Sequence, residues 1–451
     1  MRKLLFVVLL VILAALIYLV WSWDATSPVV SWKPPKTLGK KTEIPLEIID
    51  KGRGLRSLQV VVSQGGKRRV ILEKQFAKKT WPWEAGPATQ PLKLSASQLL
   101  GTPPLKQGEF ELQIVATDQP DLFFWDNTTW EVAKLQFDTR PPQLAILSQQ
   151  HYIKQGGCEG ILYSVSSDAV RSGVQVGDKF YKGYPVPGSS SPGERVCIFA
   201  LAYDQPVETP MFVWAEDEAG NRSQLNFWKK VFPAAFRRRD MPLTDSFLQQ
   251  VVPEILSHTD EITEKSTLID SYLEINRTLR RLNNDRISAF GAESADRLLW
   301  SQPFLQLTNS QVEAVFADRR TYFYNGKKID EQTHLGFDLA TSAQNPVECC
   351  NDGVVMWADY LGIYGNCVIV DHGLGLQSLY GHLSSFAVKK GDSVKLGQTL
   401  GRTGQTGLAG GDHLHFSMLL QGTQVNPIEW WDPEWVKIHI LSRVARQAGT
   451  N

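Results

Sequence analysis

The histidines of this sequence are concentrated in one stretch near its C-terminal end. Of the eight histidines in the 451-residue chain, five fall between His334 and His415, and Asp338 lies close to the first of them. The stretch reads HLGFD at 334–338, LYGHL at 379–383 and GDHLHF at 411–416. Imidazole nitrogens and carboxylate oxygens are donors that zinc takes in proteins. The clustering therefore predicts a metal site.

The spacing of these residues favours a common direction for their side chains. Residues two apart in a strand share a face, so His413 and His415 would point the same way. His334 and Asp338 are four apart, which gives one face in either a strand or a helix. Three protein ligands with an open fourth position are typical of catalytic zinc. Such a donor set also suits non-haem iron, and we expect zinc because the chain reads as exported and shows no oxygenase-like scaffold.

The combination of motifs resembles the LytM/lysostaphin-type zinc metallopeptidases. HLGFD, YGHL and HLHF, with GDSVKLGQTLGRTGQTG between the last two, match the family's pattern over about residues 311–432. The resemblance implies three protein ligands for one Zn²⁺ ion: His334, Asp338 and His415. It also implies two catalytic histidines: His382 and His413. All five positions carry the residue type that the family has there.

The resemblance implies a zinc metalloendopeptidase that hydrolyses peptide cross-links of peptidoglycan with a zinc-activated water, in cell-wall remodelling. We assign His413 to the general base and His382 to stabilisation of the transition state, although the sequence alone does not separate these two roles. A second interpretation is a non-catalytic relative that activates cell-wall amidases. Such a protein should lack at least one of the five residues, and this chain lacks none. A third is a wall-binding or partner-binding protein.

Composition excludes some function classes. The chain has 47 basic and 47 acidic residues, and its 43% of hydrophobic residues are typical of folded domains. The run Arg237–Arg239 is too short to indicate nucleic-acid binding. A length of 451 residues predicts about three domains.

The N-terminus predicts a membrane anchor. Leu4–Trp23 is an uncharged, apolar run preceded by Arg2 and Lys3, which is long enough for one membrane-spanning helix. The flanking charges place the N-terminus in the cytoplasm. We therefore expect a single-pass protein of the inner membrane, anchored by residues 1–23, with the bulk of the chain periplasmic or otherwise extracytoplasmic. A cleaved signal peptide is the alternative, and the lack of a small-x-small cleavage site argues against it.

The rest of the chain predicts a mainly β, multidomain protein. Short strand-like runs between turns indicate two β-sandwiches, at 24–138 and 139–233. QIVATD at 113–118 is echoed by FVWAED at 212–217, and each is followed by a turn that contains asparagine. The pair resembles bacterial immunoglobulin-like domains, which commonly act as spacers.

A helical segment is expected at 234–310, because apolar residues recur at helical spacing. The members of this stripe are Leu268, Tyr272, Ile275, Leu279 and Leu282. The segment could serve as a docking surface for a cell-wall protein partner or as a regulatory cover over the substrate groove. An antiparallel β peptidase domain at 311–436 and a tail at 437–451 complete the prediction. The domain's expected strands are 353–357, 366–371, 377–380, 394–401 and 413–420.

Three further features are open to more than one interpretation. Cys158 and Cys197 are candidates for a disulfide in an oxidising compartment, whereas no cysteine spacing fits a structural zinc site. His372 either orients a ligand or simply ends a strand. The glycine-rich run 404–411 lacks the lysine of a phosphate loop, and we interpret it as the rim of a substrate groove.

Overall fold

The computed structural model describes residues 2–22, 24–79, 84–101, 104–120 and 126–444. The chain divides into two compact units, of which the first comprises Met1–Pro142 with Glu216–Arg222 and the second Gln143–Ala215 with Ser223–Asn451. Parts of three predictions lie outside the described residues. These parts are Trp23 of the predicted anchor, Trp125 of the first asparagine turn and residues 445–451 of the predicted tail.

The first unit contains two sheets that share one apolar core. Its strands are β1 (Val29–Trp32), β2 (Thr37–Leu38), β3 (Glu43–Ile49), β4 (Leu55–Gln64), β5 (Lys67–Gln75), β6 (Thr89–Ser95), β7 (Gly108–Asp118) and β8 (Thr128–Phe137). One sheet has the order β2-β8-β7-β4-β5 and the other β1-β3-β6. Alternate side chains of β3 are buried, as in Ile44, Leu46 and Ile48, which is the pattern of a strand with one face on a core. The mainly β prediction is confirmed here, and the immunoglobulin-like identity stays a prediction.

Two helices lie in the first unit, α1 (Arg2–Ser22) and α2 (Ala96–Leu100). The first of them coincides with the predicted anchor. Among the helices of the described residues, however, none has both the length and the apolarity that a membrane crossing requires. The predicted transmembrane helix is therefore not supported.

The second unit begins with a strand-rich region. Its strands are β9 (Leu144–Ile146), β10 (His151–Lys154), β11 (Cys158–Val165), β12 (Ala169–Val176), β13 (Lys179–Lys182), β14 (Tyr184–Pro185), β15 (Glu194–Ala200), β16 (Met211–Asp217), β17 (Arg222–Leu225) and β18 (Lys229–Phe232). One four-stranded sheet has the order β14-β15-β11-β9. Strand β15 is buried almost throughout, in keeping with the apolar run Val196–Ala200 that follows its first two residues.

The predicted disulfide is wrong. All five cysteines are free and buried. Cys158 pairs with Ala200 and Cys197 with Ile161 in the antiparallel register of β11 and β15, so the two thiols are offset by three positions along the strands. At about 3.3 Å per residue that offset is close to 10 Å, beyond the reach of a disulfide.

A helical segment follows, as the apolar stripe predicted. It contains α3 (Asp245–Leu256), α4 (Leu268–Glu274), a π-helical turn (Ile275–Leu279) and α5 (Arg280–Phe290), with a short 3₁₀ turn at Gly291–Glu293. Tyr272, Ile275 and Leu279 are fully buried, so the stripe faces the protein's own core. The helices begin later than expected, because Arg238–Leu243 forms strand β19 and pairs in parallel with a strand 81 residues further along. Only a long-range contact explains that strand.

The peptidase region contains thirteen strands. They are β20 (Gln311–Ala314), β21 (Asp318–Tyr324), β22 (Lys327–His334), β23 (Phe337–Ala340), β24 (Pro346–Glu348), β25 (Gly353–Tyr360), β26 (Asn366–Gly373), β27 (Leu376–Leu383), β28 (Ser385–Phe386), β29 (Ser393–Val394), β30 (Thr399–Arg402), β31 (Leu414–Leu420) and β32 (Thr423–Val425). The main sheet runs β20-β23-β31-β27-β26-β25-β29, with β32 beside β31. Its pairings are antiparallel, as expected.

One predicted strand of this region is wrong. Residues 394–401 do not form a single strand, because a turn separates β29 from β30. The N–H of Gln398 donates to the carbonyl of Lys395, and Gly397 has a φ of +75°, which a strand cannot accommodate. The other four predicted strands correspond to β25, β26, β27 and β31.

Both faces of the main sheet are covered, which makes it a rigid support. Val370 and Met418 belong to a core shared with the preceding strand-rich region. Ile369 and Leu419 belong to a second core, which the helical segment closes. After the sheet come α6 (Pro427–Trp430), α7 (Pro433–Trp435), a π-helical turn (Val436–Leu441) and α8 (Ser442–Val444), so the predicted tail is helical as far as it is described.

Candidate metal centre

Three of the predicted side chains converge on one point. Nε2 of His334 lies 2.9 Å from Oδ1 of Asp338 and 3.0 Å from Nδ1 of His415, and the last two atoms are also 3.0 Å apart. Each of the three residues offers one ligand atom to a common centre. The sequence prediction that these three residues form one group is therefore matched by the geometry, while their role as zinc ligands stays a prediction.

The convergence depends on a break in the chain within HLGFD. His334 is the last residue of β22, and Asp338 lies in β23, which belongs to a different sheet. The spacing suggested that the two side chains share one face of a single element. This expectation is wrong, because the two residues lie in different sheets. A Cβ on Gly336 would lie only 2.6 Å from the carbonyl oxygen of Phe416, so a glycine is required where the chain passes β31.

Strand pairing then places the remaining donor. Asp338 of β23 is directly opposite His415 of β31, so the side chains of the two ligands are neighbours on one face. His413 precedes β31 and forms an isolated bridge with Gly404, which keeps the HLH run extended. Its Nε2 lies 3.6 Å from Oδ1 of Asp338, on the same side as His415.

Hydrogen bonds fix which ring nitrogen of each ligand is free. Nδ1–H of His334 donates to the carbonyl of Val315 at 3.1 Å, which leaves the lone pair of Nε2 at the centre. Ser417 donates its hydroxyl hydrogen to the carbonyl of Leu335, so its oxygen accepts Nε2–H of His415 at 3.0 Å. That bond leaves the lone pair of Nδ1 at the centre. Such outer hydrogen bonds orient metal-binding histidines.

The two histidines predicted to be catalytic lie next to the three donors. The ring centroids of His382 and His413 are 4.8 Å apart, and His382 is 5.8 Å from His415. Nδ1–H of His382 donates to the carbonyl of Thr406 at 2.7 Å, and Nδ1–H of His413 donates to Gly411 at 2.8 Å. Both Nε2 atoms are thus left for chemistry.

His382 has a strained backbone. Its φ of +62° lies in the left-handed region, which costs a residue with a side chain about 1–2 kcal/mol. The hydrogen bond to Thr406 holds the imidazole in this position. Strain of this kind is typical of functional sites.

Burial and charge set the protonation of the cluster. Burial lowers the pKa of His415 to about 4 and, together with the charges of His413 and His415, lowers the pKa of His382 well below its usual value. Burial opposes ionisation of Asp338, but the interaction with His334 outweighs it and holds the pKa of that carboxyl well below its usual value. Burial also disfavours charged His413, yet its hydrogen bond to Asp338 raises the pKa. The result is an ionised carboxylate of Asp338 beside a neutral imidazole of His415.

This donor set fits zinc. Two imidazoles, each with one ring nitrogen directed at the centre, and one carboxylate form a three-ligand set of the kind found in catalytic zinc sites. Oδ2 of Asp338 is held at 2.8 Å by Nη2 of Arg320, which leaves Oδ1 directed at the centre. No cysteine thiol joins the group among the described residues.

Arg320 was missed by the sequence analysis. It lies on β21, 18 positions before Asp338. Burial disfavours its positive charge, but the carboxylate of Asp338 outweighs burial and raises the pKa of Arg320. An arginine in a strand that reads DRRTYFY gives no distinct sequence signal. Only the pairing of β21 with β22 brings it to the carboxylate.

A cavity of about 380 Å³ opens onto the metal centre. The peptidase region contributes its five predicted site residues and Leu408 and Gly410 of the glycine-rich run, which agrees with the groove-rim interpretation. The helical segment contributes a wall made of Phe247, Tyr272, Arg280 and Asn284. The hydroxyl of Tyr272 is buried and has no hydrogen-bond partner among the described residues.

The helical segment is tied to the loops of the site by direct hydrogen bonds. Oε2 of Glu254 accepts the N–H of Gly407 and the hydroxyl of Tyr360, both at 3.0 Å. Asn283 accepts the N–H of Ile363 at 2.9 Å. These contacts make the helices a wall of the cavity, and a regulatory role for them stays a prediction.

His372, whose role the sequence left open, and Trp430 lie away from the centre. His372 is fully buried beneath the sheet and hydrogen-bonded to Ser378, so it contacts none of the ligands. Trp430 is fully buried in the core. Neither residue lines the cavity.

Comparison with known proteins finds a family match in the C-terminal part of the chain. Residues 332–427 match the family described as Peptidase family M23. The matched range contains the three candidate ligands and both candidate catalytic histidines.

Three curated proteins match the same region of the chain. The DD-carboxypeptidase/endopeptidase Mpg of Neisseria meningitidis is 39% identical over 95 residues, 21% of this chain and 22% of that protein. The peptidoglycan DD-endopeptidase ShyA of Vibrio cholerae is 38% identical over 96 residues, again 21% and 22%. The murein hydrolase activator EnvC of Escherichia coli is 39% identical over 95 residues, 21% and 23%. The matches thus span between a fifth and a quarter of each relative's length.

Proposed function

We propose that this chain, which carries an M23 peptidase domain at its C-terminal end, is a zinc metalloendopeptidase that hydrolyses peptide cross-links of peptidoglycan. One observation carries the proposal. The free lone pairs of His334 and His415 and the ionised Asp338 converge on a single point at the floor of an open cavity. A structural role alone would not require three donors to face a cavity with their lone pairs unused.

The residues around this point supply the remaining chemistry. A zinc ion held by the three donors supplies an acidified water and polarises the scissile carbonyl. His413 is the better general base, because the nearby charge of Asp338 raises its pKa and its Nδ1–H donates to Gly411, which leaves Nε2 to take a proton. His382 can donate to a developing oxyanion only from a protonated Nε2, because its Nδ1–H is held by Thr406.

The substrate class is supported by the relatives. Two of the proteins that match residues of the peptidase domain are named for endopeptidase activity, and one of these for activity on peptidoglycan. Because the matches span so little of those relatives, their substrates reach this chain only as a proposal. The volume of the open cavity, about 380 Å³, lies in the range of ligand-binding pockets.

We further propose that the protein acts outside the cytoplasm, where peptidoglycan lies. The apolar run after Arg2 and Lys3 supports this proposal, because a basic start before an apolar stretch is common to exported chains. Fractionation of cells that express a tagged chain, with a cytoplasmic marker enzyme followed in parallel, checks it. A tag that stays with the cytoplasmic marker would contradict it.

A second function is an activator of wall hydrolases. The match to EnvC, a murein hydrolase activator by name, favours it. The complete donor set argues against it, since an activator that does not cut has no need of three converging ligands. The two functions differ in whether the purified chain cuts peptidoglycan without any other enzyme.

The test is an assay of the purified protein for zinc content and for release of new peptide termini from purified sacculi. The wild type should hold one equivalent of zinc and cut the sacculi alone. His334→Ala should lose both properties. A wild type that binds zinc but cuts only when a purified amidase is added would support the activator function. A wild type that holds no zinc would contradict the proposal that the protein is a zinc enzyme.

A further inference from the structure

A second, larger cavity lies in the same compact unit as the metal centre. It has a volume of about 650 Å³ and opens between strands β12 to β14 and the C-terminal end of α5. Its lining contains four cationic side chains: Arg171, Lys179, Lys182 and Arg195. We call this cavity the cationic cleft.

No acidic side chain balances these charges. The lining of the cationic cleft contains no aspartate or glutamate. Within the described part of the chain, none of the four cations forms an ion pair. Asp371 and Asp296 lie near enough to act on Tyr184 from behind, but neither lines the cleft. The cleft therefore presents a positive surface.

Four neighbouring cations without counter-ions cost free energy in the unliganded protein. Each pair of like charges repels, and partial burial weakens the screening by water. Burial adds a cost of its own at Lys179, because it lowers the pKa of the ammonium group. A bound anion would offset both the repulsion and the burial.

Aromatic rings hold two of the cations in position. The guanidinium of Arg171 lies 4.2 Å from the ring centroid of Phe180 and 5.2 Å from that of Trp214. The ammonium group of Lys182 lies 5.0 Å from the ring of Tyr184. Stacking of this kind leaves the charged groups free to bind anions while limiting their motion.

The cationic cleft and the metal-centre cavity meet the same helix. Asn284 of α5 lines the metal-centre cavity, and Ser288, one turn later, lines the cleft. Four residues of helix advance about 6 Å along the axis. One long polymer can therefore contact both regions at once.

We propose that the cationic cleft is a second, non-catalytic binding site that takes free carboxylates of the stem peptides of peptidoglycan. The inference rests on the proposed function, since that function supplies the polymer whose carboxylates would reach the cleft. The site holds the polymer while the metal centre cuts another part of it. Lys182 is exposed and its side chain makes no hydrogen bond in the described residues, so we choose it for the test.

The experiment measures binding to purified sacculi in a chain that carries His334→Ala, so that the polymer stays intact. Lys182→Glu should raise the dissociation constant about fivefold or more, the effect expected for losing one charge contact and adding a repulsion. Lys390→Glu, an equal charge change at an exposed turn of the peptidase region, should leave binding unchanged. A circular dichroism spectrum and a melting curve check that both variants are folded.

Chemical change of the ligand makes the test specific. Sacculi whose carboxyl groups have been amidated should bind the unsubstituted chain as weakly as untreated sacculi bind Lys182→Glu. Equal binding by Lys182→Glu and Lys390→Glu would overturn the proposal. So would undiminished binding to amidated sacculi, since the ligand would then not be a carboxylate.

The outcomes separate this inference from the proposed function. With His334 intact, Lys182→Glu should cut a short soluble stem-peptide dimer at the wild-type rate but cut sacculi more slowly. If the wild type cuts neither substrate and cleft-dependent binding remains, the proposed function fails and the binding site stands. If cutting is normal and Lys182→Glu does not change binding, the proposal of the binding site is contradicted and the proposed function is not.

Discussion

Two clusters of histidine and polar side chains include residues of the main peptidase sheet, and we call them the open cluster and the closed cluster. In the first, His334, His415 and Asp338 face an open cavity. In the second, His372 is fully buried, its Nδ1–H donates to the carbonyl of Asp352 and its Nε2 lies 2.8 Å from the hydroxyl of Ser378. The two clusters use similar residue types in neighbouring strands.

The clusters differ in how their lone pairs are used. In each ligand histidine of the open cluster, one ring nitrogen is hydrogen-bonded to a protein group and the other faces the cavity. Both nitrogens of His372 have protein partners, and the thiol of Cys350 lies 3.7 Å from Nε2. The comparison indicates that residue type alone is not enough for a metal site. Such a site also needs unused lone pairs and access to solvent.

The largest expected effect is at the open cluster. Asp338→Asn removes the anionic donor and the partner of Arg320, so the chain should lose its zinc. Activity on sacculi should fall on the order of 10⁴-fold, because a Lewis acid supplies several kcal/mol of transition-state stabilisation. Metal analysis and release of peptide termini check both effects. Retention of zinc by this variant would break the assignment of the open cluster.

His413→Ala should separate catalysis from metal binding. We expect zinc to remain and the turnover rate to fall about 10²–10⁴-fold, the usual contribution of a general base. Metal content and kcat are measured on the same preparation. Loss of zinc as complete as in Asp338→Asn would make His413 a ligand instead and contradict its role as the base.

A pair of serine variants makes the comparison sharper. Ser417 accepts Nε2–H of His415, so Ser417→Ala should weaken zinc binding about 10- to 100-fold without touching a ligand. Ser378→Ala makes the same change beside His372 and should leave zinc affinity as it is. Competition with a chelator of known affinity measures both. Equal effects of the two variants would show that the clusters do not differ as described.

The smallest effect on activity is expected at the closed cluster. His372→Gln should leave cutting unchanged and alter only the dependence of stability on pH. Burial lowers the pKa of His372 to about 4 in the folded protein, whereas the unfolded chain keeps a pKa near 6.5. Between these values the unfolded chain holds the extra proton, so stability falls as the pH drops from about 6.5 to about 4.

Urea unfolding of the metal-free protein at several pH values measures this difference. The free energy of unfolding should fall less steeply toward low pH in His372→Gln than in the wild type. Identical pH dependence of the two proteins would contradict the closed state of His372. So would a loss of activity comparable to that of Ser417→Ala.

Much of the site could be predicted from the sequence. HxxxD and HxH supplied the three donors, and the antiparallel pairing of Asp338 with His415 brings the two motifs together. The expectation that the spacing in HLGFD places both side chains on one face of one element was wrong, because the chain passes from one sheet to another at Gly336. The spacing of four is therefore a consequence of a turn rather than of one regular element.

What could not be predicted depends on contacts between distant segments. Arg320 reaches Asp338 only through the pairing of three strands, and β19 exists only because it joins β21 in parallel. The expectation of a disulfide between Cys158 and Cys197 was wrong for the same reason. Their offset is a matter of register, which the positions of two cysteines do not reveal.

The sequence by itself determined which residues can bind a metal, because donor type and local spacing are properties of the chain. The tertiary structure decided which lone pairs stay free, since that depends on the acceptors that distant segments bring, such as Val315 for His334 and Asp352 for His372. It also decided that helices wall the cavity and that four cations share one cleft. Hydrogen bonding and charge act at a few ångströms in space, at any separation along the chain.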